Sequence, residues 1–137
     1  MLLTKCIYLS KSAEDGLRVS IMSRHTLANG TTPDLQITSS SYDMHWPELG
    51  PPTRLIGKYL RHEIDWPGFE EVFVQFLRTG AAPHLDRLIH LALTQNVTLL
   101  CREKSGVDMI DGKLACHRRL VAEECKRLRP ELALSIA

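Results

Sequence analysis

The stretch that decides the fold is NVTLLCRE, residues 96–103. Val97 to Cys101 form a continuous apolar run, which is typical of a strand buried on both faces of a parallel sheet. The turn-forming Asn96 precedes the run, and the charged Arg102 and Glu103 follow it. The sequence therefore predicts a central strand that ends in polar side chains.

Further strands are predicted on either side of this one. Residues 2–8 are apolar enough for a strand, and in residues 17–23 apolar and polar side chains alternate as they do in a strand. Residues 131–137 can add a short last strand. The segment between 24 and 52 is rich in Gly, Pro, Ser and Thr, and loops of that length usually carry function.

Four helices are predicted after this loop. Prolines near the first turn begin three of them, at about 52–61, from Pro67 to Gly80, and from Pro83 onward. The fourth runs from about Cys116 to Pro130. Strands separated by helices predict an α/β fold: a small, mostly parallel sheet flanked by about four helices, in one compact domain spanning 1–137.

Composition narrows the class of protein. A length of 137 residues suits one domain, and a net charge of +1 provides no global field for nucleic acid, although a local basic patch is still allowed. No apolar run approaches the ~20 residues of a membrane span, and the N-terminus lacks a signal-peptide cleavage site. The four cysteines form no C-x-x-C pair. We therefore expect a cytoplasmic monomer or homodimer with free thiols and no membrane partner.

A candidate site lies where two of the predicted strands end. In open α/β sheets, ligands bind outside the carboxyl ends of the strands, and the last helix begins close to the same edge. We expect these segments to bring together seven side chains: Arg24, His25, Cys101, Glu103, Cys116, His117 and Arg118.

Each of these side chains suggests a role. A thiol in the first turn of a helix with cationic neighbours favours the thiolate, so Cys116 is predicted to be a nucleophile or redox centre, with His117 or Glu103 moving protons. The alternative for Cys116 is simple core packing. Arg118 in the same turn, with Arg24 and His25 from the facing loop, would bind a phosphate or carboxylate, and Cys101 would belong to the catalytic group with Cys116. The alternative for Arg118 is a solvated ion pair.

Two further arrangements of the cysteines remain open. Cys101, Cys116 and His117 could form a zinc site with His25 or His45, but 14 residues separate the two cysteines and no tight ligand pair exists. We therefore predict no metal and no cofactor. A redox disulfide between Cys101 and Cys116 would require Cα atoms within about 7 Å.

The chain resembles the YeaO-like proteins, the domain of unknown function 488, in three segments. They are LGPPTRLIGKYLRHEIDWPGFEEVFVQFL, which follows the early strands, and then VTLLCRE and CHRRLVAEEC. The resemblance covers about Arg18 to Leu128. It implies a compact α/β protein of bacteria or archaea that acts inside the cell. It also marks a set of residues: Arg24, Cys101, Glu103, Cys116, His117 and Arg118.

This chain departs from that pattern in two places. Many relatives carry Asp-Arg where this chain has Ser23 and Arg24, and the loop 104–115 is longer than usual. Two functions therefore stay open. One is an enzyme acting on an anionic, phosphate-containing substrate such as a nucleotide or nucleic acid. The other is a non-catalytic module that binds an anion, a nucleic acid or a protein in the same crevice.

Overall fold

The predicted central strand lies in the middle of a parallel sheet. A computed structural model describes residues 1–137, and its strands in chain order are β1 (Leu2–Cys6), β2 (Leu17–Ser20), β3 (Met44–His45), β4 (Val97–Cys101), β5 (Met109–Ile110), β6 (Lys113–Leu114) and β7 (Leu134–Ser135). The sheet order is β3-β2-β4-β1-β7, and every pairing in it is parallel. All five residues of β4 are buried, as the apolar run predicted.

Four helices flank the sheet, which confirms the predicted α/β class. They are α1 (Thr53–Leu60), α2 (Trp66–Thr79), α3 (Ala82–Thr94) and α4 (His117–Leu128). Pro67 and Pro83 are the second residues of α2 and α3, as the prolines in the sequence predicted. The helix α2 is also capped by Asp65, whose side chain accepts a hydrogen bond from the Gly68 amide. None of the helices has both the length and the apolar character needed to cross a membrane.

One large apolar core joins the helices to the sheet. Val97 and Leu99 of β4 belong to the same buried cluster as Phe73 of α2, Leu88 of α3 and Val121 of α4. Each such side chain contributes about 1.5–3 kcal/mol when it is fully buried. This packing fixes α4 against the sheet and hence fixes where its first turn lies.

The polar side of β2 is buried as well. Arg18 is only 2% exposed and donates hydrogen bonds to the Asp15 carboxylate and to the carbonyl oxygens of Leu9 and Ser41. The alternation in 17–23 therefore marks a strand covered on both faces. Loop segments supply the acceptors that a buried guanidinium needs.

Three short elements were absent from the sequence prediction. The strand β3 lies inside the long loop and pairs with β2, while β5 and β6 form an antiparallel hairpin within the segment predicted as a polar loop. The strand β2 also ends at Ser20, three residues earlier than predicted. Strands of two residues are too short to show a periodic pattern, so only tertiary pairing defines them.

The topology opens a crevice between β2 and β4. The chain leaves β2 toward the edge strand β3, whereas it leaves β4 through α4 toward the opposite edge strand β7. Connections that diverge from neighbouring parallel strands create a gap at their carboxyl ends, where ligands bind in open α/β sheets.

Candidate functional site

A cavity of about 390 Å³ occupies this crevice. Its volume falls within the range of small-molecule pockets. Residues after β2, the end of β4, the first turn of α4 and the facing sides of α1 and α2 form its walls. Of the seven predicted side chains, five line it: Arg24, Cys101, Glu103, Cys116 and His117. The other two, His25 and Arg118, do not.

The two cysteines connect Glu103 and His117 into one group, and we refer to Cys101, Glu103, Cys116 and His117 as the Cys–His–Glu cluster. The thiols of Cys101 and Cys116 each donate a hydrogen bond to the same carboxylate oxygen, Oε2 of Glu103, at 3.0 Å. The Nδ1 atom of His117 lies 3.5 Å from the Cys101 sulfur. Parallel pairing of β2 and β4 and the packing of α4 thus bring together residues that are far apart in the sequence.

The tautomer of His117 is set by its second ring nitrogen. Nε2 lies 2.9 Å from the carbonyl oxygen of Ile21, which can only accept a hydrogen bond, so Nε2 carries a proton. In the neutral imidazole, Nδ1 then presents a lone pair toward the sulfurs.

Burial governs the protonation of the thiols. Burial raises the pKa of Cys116 well above its ordinary value, and the neighbouring Cys101 and Glu103 raise it further. Burial also raises the pKa of Cys101. In the absence of another ligand the two sulfurs are therefore protonated thiols. The thiolate character predicted from the helix terminus is outweighed because Cys116 is only 1% exposed.

The pKa values of Glu103 and His117 are shifted in the direction opposite to that expected for isolated buried groups. Burial alone would raise the pKa of Glu103, but the attraction of His117 and the hydrogen bonds from both thiols lower it. Burial would likewise lower the pKa of His117, but interactions with Cys116 and Glu103 and the Ile21 carbonyl raise it. Glu103 is thus an ionised, half-buried carboxylate between the thiols and the cavity.

Arg118 contacts the cluster but does not line the cavity. It is fully buried, and its guanidinium donates hydrogen bonds to the carbonyl oxygens of Glu103 at 2.6 Å and Ala137 at 3.0 Å. Nη1 also lies 3.8 Å from the Cys116 sulfur. This position fixes the backbone that carries Glu103 and adds a positive charge next to the thiols.

Two arginines lie along the cavity wall. Arg24 is exposed and makes one long hydrogen bond, from Nη1 to the Gly30 carbonyl oxygen at 3.3 Å. Arg102, which sequence reasoning did not single out, donates to the Thr26 carbonyl oxygen and lies 3.7 Å from the Asp34 carboxylate. The Nε atom of Arg102 is buried without a hydrogen-bond partner. Its place directly after the buried strand β4 is the signal that could have identified it.

Aromatic side chains form another part of the wall. Tyr59, Trp66 and Phe69 line the cavity, and the rings of Trp66 and Phe69 stack with their centroids 5.1 Å apart. Tyr59 and Phe69 lie on the apolar faces of α1 and α2. The periodicity of a helix shows which face is buried and not whether a cavity adjoins that face, so this wall could not be predicted.

Comparison with known proteins places the chain in a family. A family model described as "Active DUF488-N3 subclade" (DUF488-N3a) matches residues 2–127. The chain belongs to this family. The match covers nearly the whole domain and confirms the resemblance to the domain of unknown function 488. No curated protein and no solved structure matches the chain.

In this DUF488 domain, His25 lies apart from the cavity. Its Nε2 is 2.7 Å from the Ser20 hydroxyl, and its ring packs against His45 and Tyr42 with centroids 4.2 Å and 4.8 Å away. Neither His25 nor His45 contributes to the Cys–His–Glu cluster. The fourth zinc ligand considered from the sequence is therefore not one of these histidines.

Trp46, Cys6 and Cys125 are buried and do not line the cavity. Trp46 is buried, donates a hydrogen bond to Nδ1 of His84 and packs under Arg87. Trp46 therefore belongs to the core. Cys6 and Cys125 are both buried. Cys125 lies in the main core and does not line the cavity, so it provides a control cysteine.

Proposed function

We propose that this DUF488 protein is an enzyme that acts on a phosphate-containing small molecule, with a nucleotide as the substrate class that best fits its cavity. The observation that carries the proposal is the Cys–His–Glu cluster, which lines a cavity of about 390 Å³ that also presents two arginines and an aromatic wall. Ionisable groups with perturbed pKa values that face a concave pocket are typical of reaction centres.

The proposed roles follow from the position of each group. Arg24 and Arg102 bind the phosphate, because Arg24 has only one weak partner and Arg102 has an unpartnered Nε. Tyr59, Trp66 and Phe69 contact the ring or other apolar part of the substrate. Glu103 is the proton acceptor, since it is ionised and faces the cavity.

The two cysteines and His117 form the remainder of the proposed catalytic group. His117 holds its position through Ile21 and shares protons with the thiols and Glu103. Arg118 is a positioning residue in this proposal, because it does not line the cavity and its donors are directed to the backbone carbonyl oxygens of Glu103 and Ala137. His25 has no role in it.

The test is a search for turnover with matched variants. The purified protein is incubated with nucleoside phosphates, sugar phosphates and short single-stranded nucleic acids, and products are followed by mass spectrometry. We expect turnover of at least one small phosphate compound. We expect Glu103→Gln to reduce kcat by about 100-fold or more, whereas Cys125→Ala should retain the wild-type rate.

A second comparison tests the phosphate contact. Arg24→Ala should raise KM or Kd for the phosphorylated compound about 10- to 100-fold, the loss expected for a charge-assisted hydrogen bond. It should leave the affinity for the matching unphosphorylated compound unchanged. Binding of phosphate compounds without any turnover would instead support the non-catalytic module. Turnover that persists in Glu103→Gln would contradict the assigned base.

A further inference from the structure

We infer that Cys101, Cys116 and His117 bind one Zn²⁺ ion, with Glu103 at an exchangeable fourth position that faces the cavity. This inference deepens the proposed function, because it concerns the same cluster and names the metal that would serve it. It reverses the expectation from the sequence, in which the separation of the two cysteines argued against a metal.

The distances between the donor atoms support this inference. The two sulfurs and a ring nitrogen of His117 all lie within 4.8 Å of one another. Tetrahedral zinc, with bonds of about 2.3 Å to sulfur and 2.0–2.1 Å to nitrogen or oxygen, requires sulfur–nitrogen separations of about 3.5 Å. The Cys101 sulfur and His117 Nδ1 are 3.5 Å apart. An ion can therefore enter with small side-chain movements.

The orientation of His117 is that of a metal ligand. Its Nε2–H donates to the Ile21 carbonyl oxygen, so Nδ1 is the ring nitrogen that faces the sulfurs and that binds a metal once the ring is neutral. Histidines that ligate metals commonly donate their other ring nitrogen to a carbonyl or carboxylate in this way. The contact exists independently of the cysteines and points to the same centre.

Glu103 defines the fourth position. Its Oε2 lies 3.0 Å from both sulfurs but does not belong to the set of donor atoms within 4.8 Å of one another, so the carboxylate has to move toward His117 to bind the same ion. Glu103 is half-buried, whereas the two cysteines that line the cavity with it are buried. A substrate oxygen or a water molecule can therefore take its place on the ion, as catalytic zinc sites with three protein ligands require.

Charge also balances in the bound state. On binding, each of the two thiols loses its proton to solvent, and the two thiolates neutralise the charge of Zn²⁺. The Arg118 guanidinium, 3.8 Å from the Cys116 sulfur, offsets the Glu103 carboxylate. The buried site therefore carries no net charge, which a low-dielectric environment favours.

The separation in sequence does not oppose this arrangement. Short spacings apply to ligand pairs held by one loop or knuckle. Here the end of β4 supplies Cys101, and the start of α4 supplies Cys116 and His117. The packing of α4 against the sheet holds these ligands near one another, as a short loop between two ligands does in small zinc domains.

The test uses Co²⁺, because cobalt thiolates absorb light in charge-transfer bands that zinc thiolates lack. The full-length wild-type protein is stripped with a chelator, titrated with Co²⁺ and then with Zn²⁺, and its metal content is measured. We expect one ion per chain, thiolate-to-cobalt bands, and their loss when zinc displaces cobalt. Cys101→Ser, Cys116→Ser and His117→Gln should each weaken binding by more than about 100-fold, whereas Cys125→Ser should bind as the wild type does.

The wild-type titration decides the inference even where a variant fails to fold. Absence of thiolate-to-cobalt bands in the wild type would overturn the zinc site, as would unchanged bands in a variant that lacks both Cys101 and Cys116. Metal binding without turnover of any phosphate compound would keep the zinc site and reject the proposed enzyme. Undiminished turnover by the stripped protein, together with no thiolate-to-cobalt bands, would keep the proposed enzyme and reject the zinc site.

Discussion

Replacing the buried Arg118 by methionine tests whether this residue positions the site or binds the ligand. The guanidinium is 0% exposed and donates to the carbonyl oxygens of Glu103 and Ala137. Methionine has similar length and no donors, so the Arg118→Met variant removes the hydrogen bonds while largely filling the space.

The magnitude follows from the two short hydrogen bonds. A buried acceptor left without its partner costs about 1–3 kcal/mol, so two such carbonyl groups together cost about 2–6 kcal/mol. Removing a buried cation whose Nε lacks a partner offsets part of this cost. We expect Arg118→Met to lower the free energy of unfolding by about 3 kcal/mol.

Urea unfolding at pH 7 measures this loss, with Arg24→Ala as the matched control. Arg24 is exposed, so its replacement should change the unfolding free energy by no more than about 0.5 kcal/mol. If Arg118→Met is as stable as the wild type and instead loses affinity for phosphate compounds, Arg118 contacts the ligand and our assignment of a positioning role is wrong.

Three further predictions concern the loops and the thiols. Although burial alone would raise the pKa of Asp15, hydrogen bonds from Ser12 and Arg18 lower it from 3.8 to about 2. The ionised carboxylate therefore adds about 2 kcal/mol of stability, which is present above about pH 4 and lost as the pH falls through 2; unfolding measured against pH should lose this dependence in Asp15→Asn. Gly16 has a φ of +61°, and a Cβ there would lie 2.7 Å from the Asn96 carbonyl carbon. Gly16→Ala should therefore cost at least about 3 kcal/mol, whereas Gly30→Ala, with a φ of +75° and no atom within 4 Å, should cost about 1 kcal/mol; equal losses would refute the steric explanation. In metal-free protein, Cys116 should react with iodoacetamide at pH 7 at least about 10-fold more slowly than glutathione, as judged by mass spectrometry of the labelled peptide; faster labelling would mean that the thiol is activated.

The sequence identified the elements whose pattern is local. The apolar run of β4 and the helix predicted from Pro67 to Gly80 each rest on signals within one segment, and both lie within one residue of their predicted bounds. The strand β3 and the β5–β6 hairpin contain two residues per strand, so no pattern could reveal them. Their existence depends on partners elsewhere in the fold.

The candidate site was only partly predictable for a related reason. The rule that ligands bind at strand ends correctly brought Cys101 and the start of α4 together. The same rule could not show that His117, Arg118 and Arg119 would all be buried, because three consecutive residues cover most of the circumference of a helix. Arg119 donates a hydrogen bond to the carbonyl oxygen of Leu114, just before α4. Arg118 donates one to the carbonyl oxygen of Glu103.

The same burial changes the chemistry that Cys116 can perform. At the N-cap of α4 with cationic neighbours, an exposed thiol would be expected to ionise. Enclosed by the core, the Cys101 thiol and the Glu103 carboxylate, the Cys116 thiol instead has a raised pKa. A nucleophilic role for Cys116 thus requires a group that removes its proton. A zinc ion bound to both thiols would do so and would transfer the reactive position from the sulfur to the fourth ligand at the cavity. The geometry of His117 and Glu103 around the two sulfurs therefore favours metal-assisted chemistry over attack by a free thiolate.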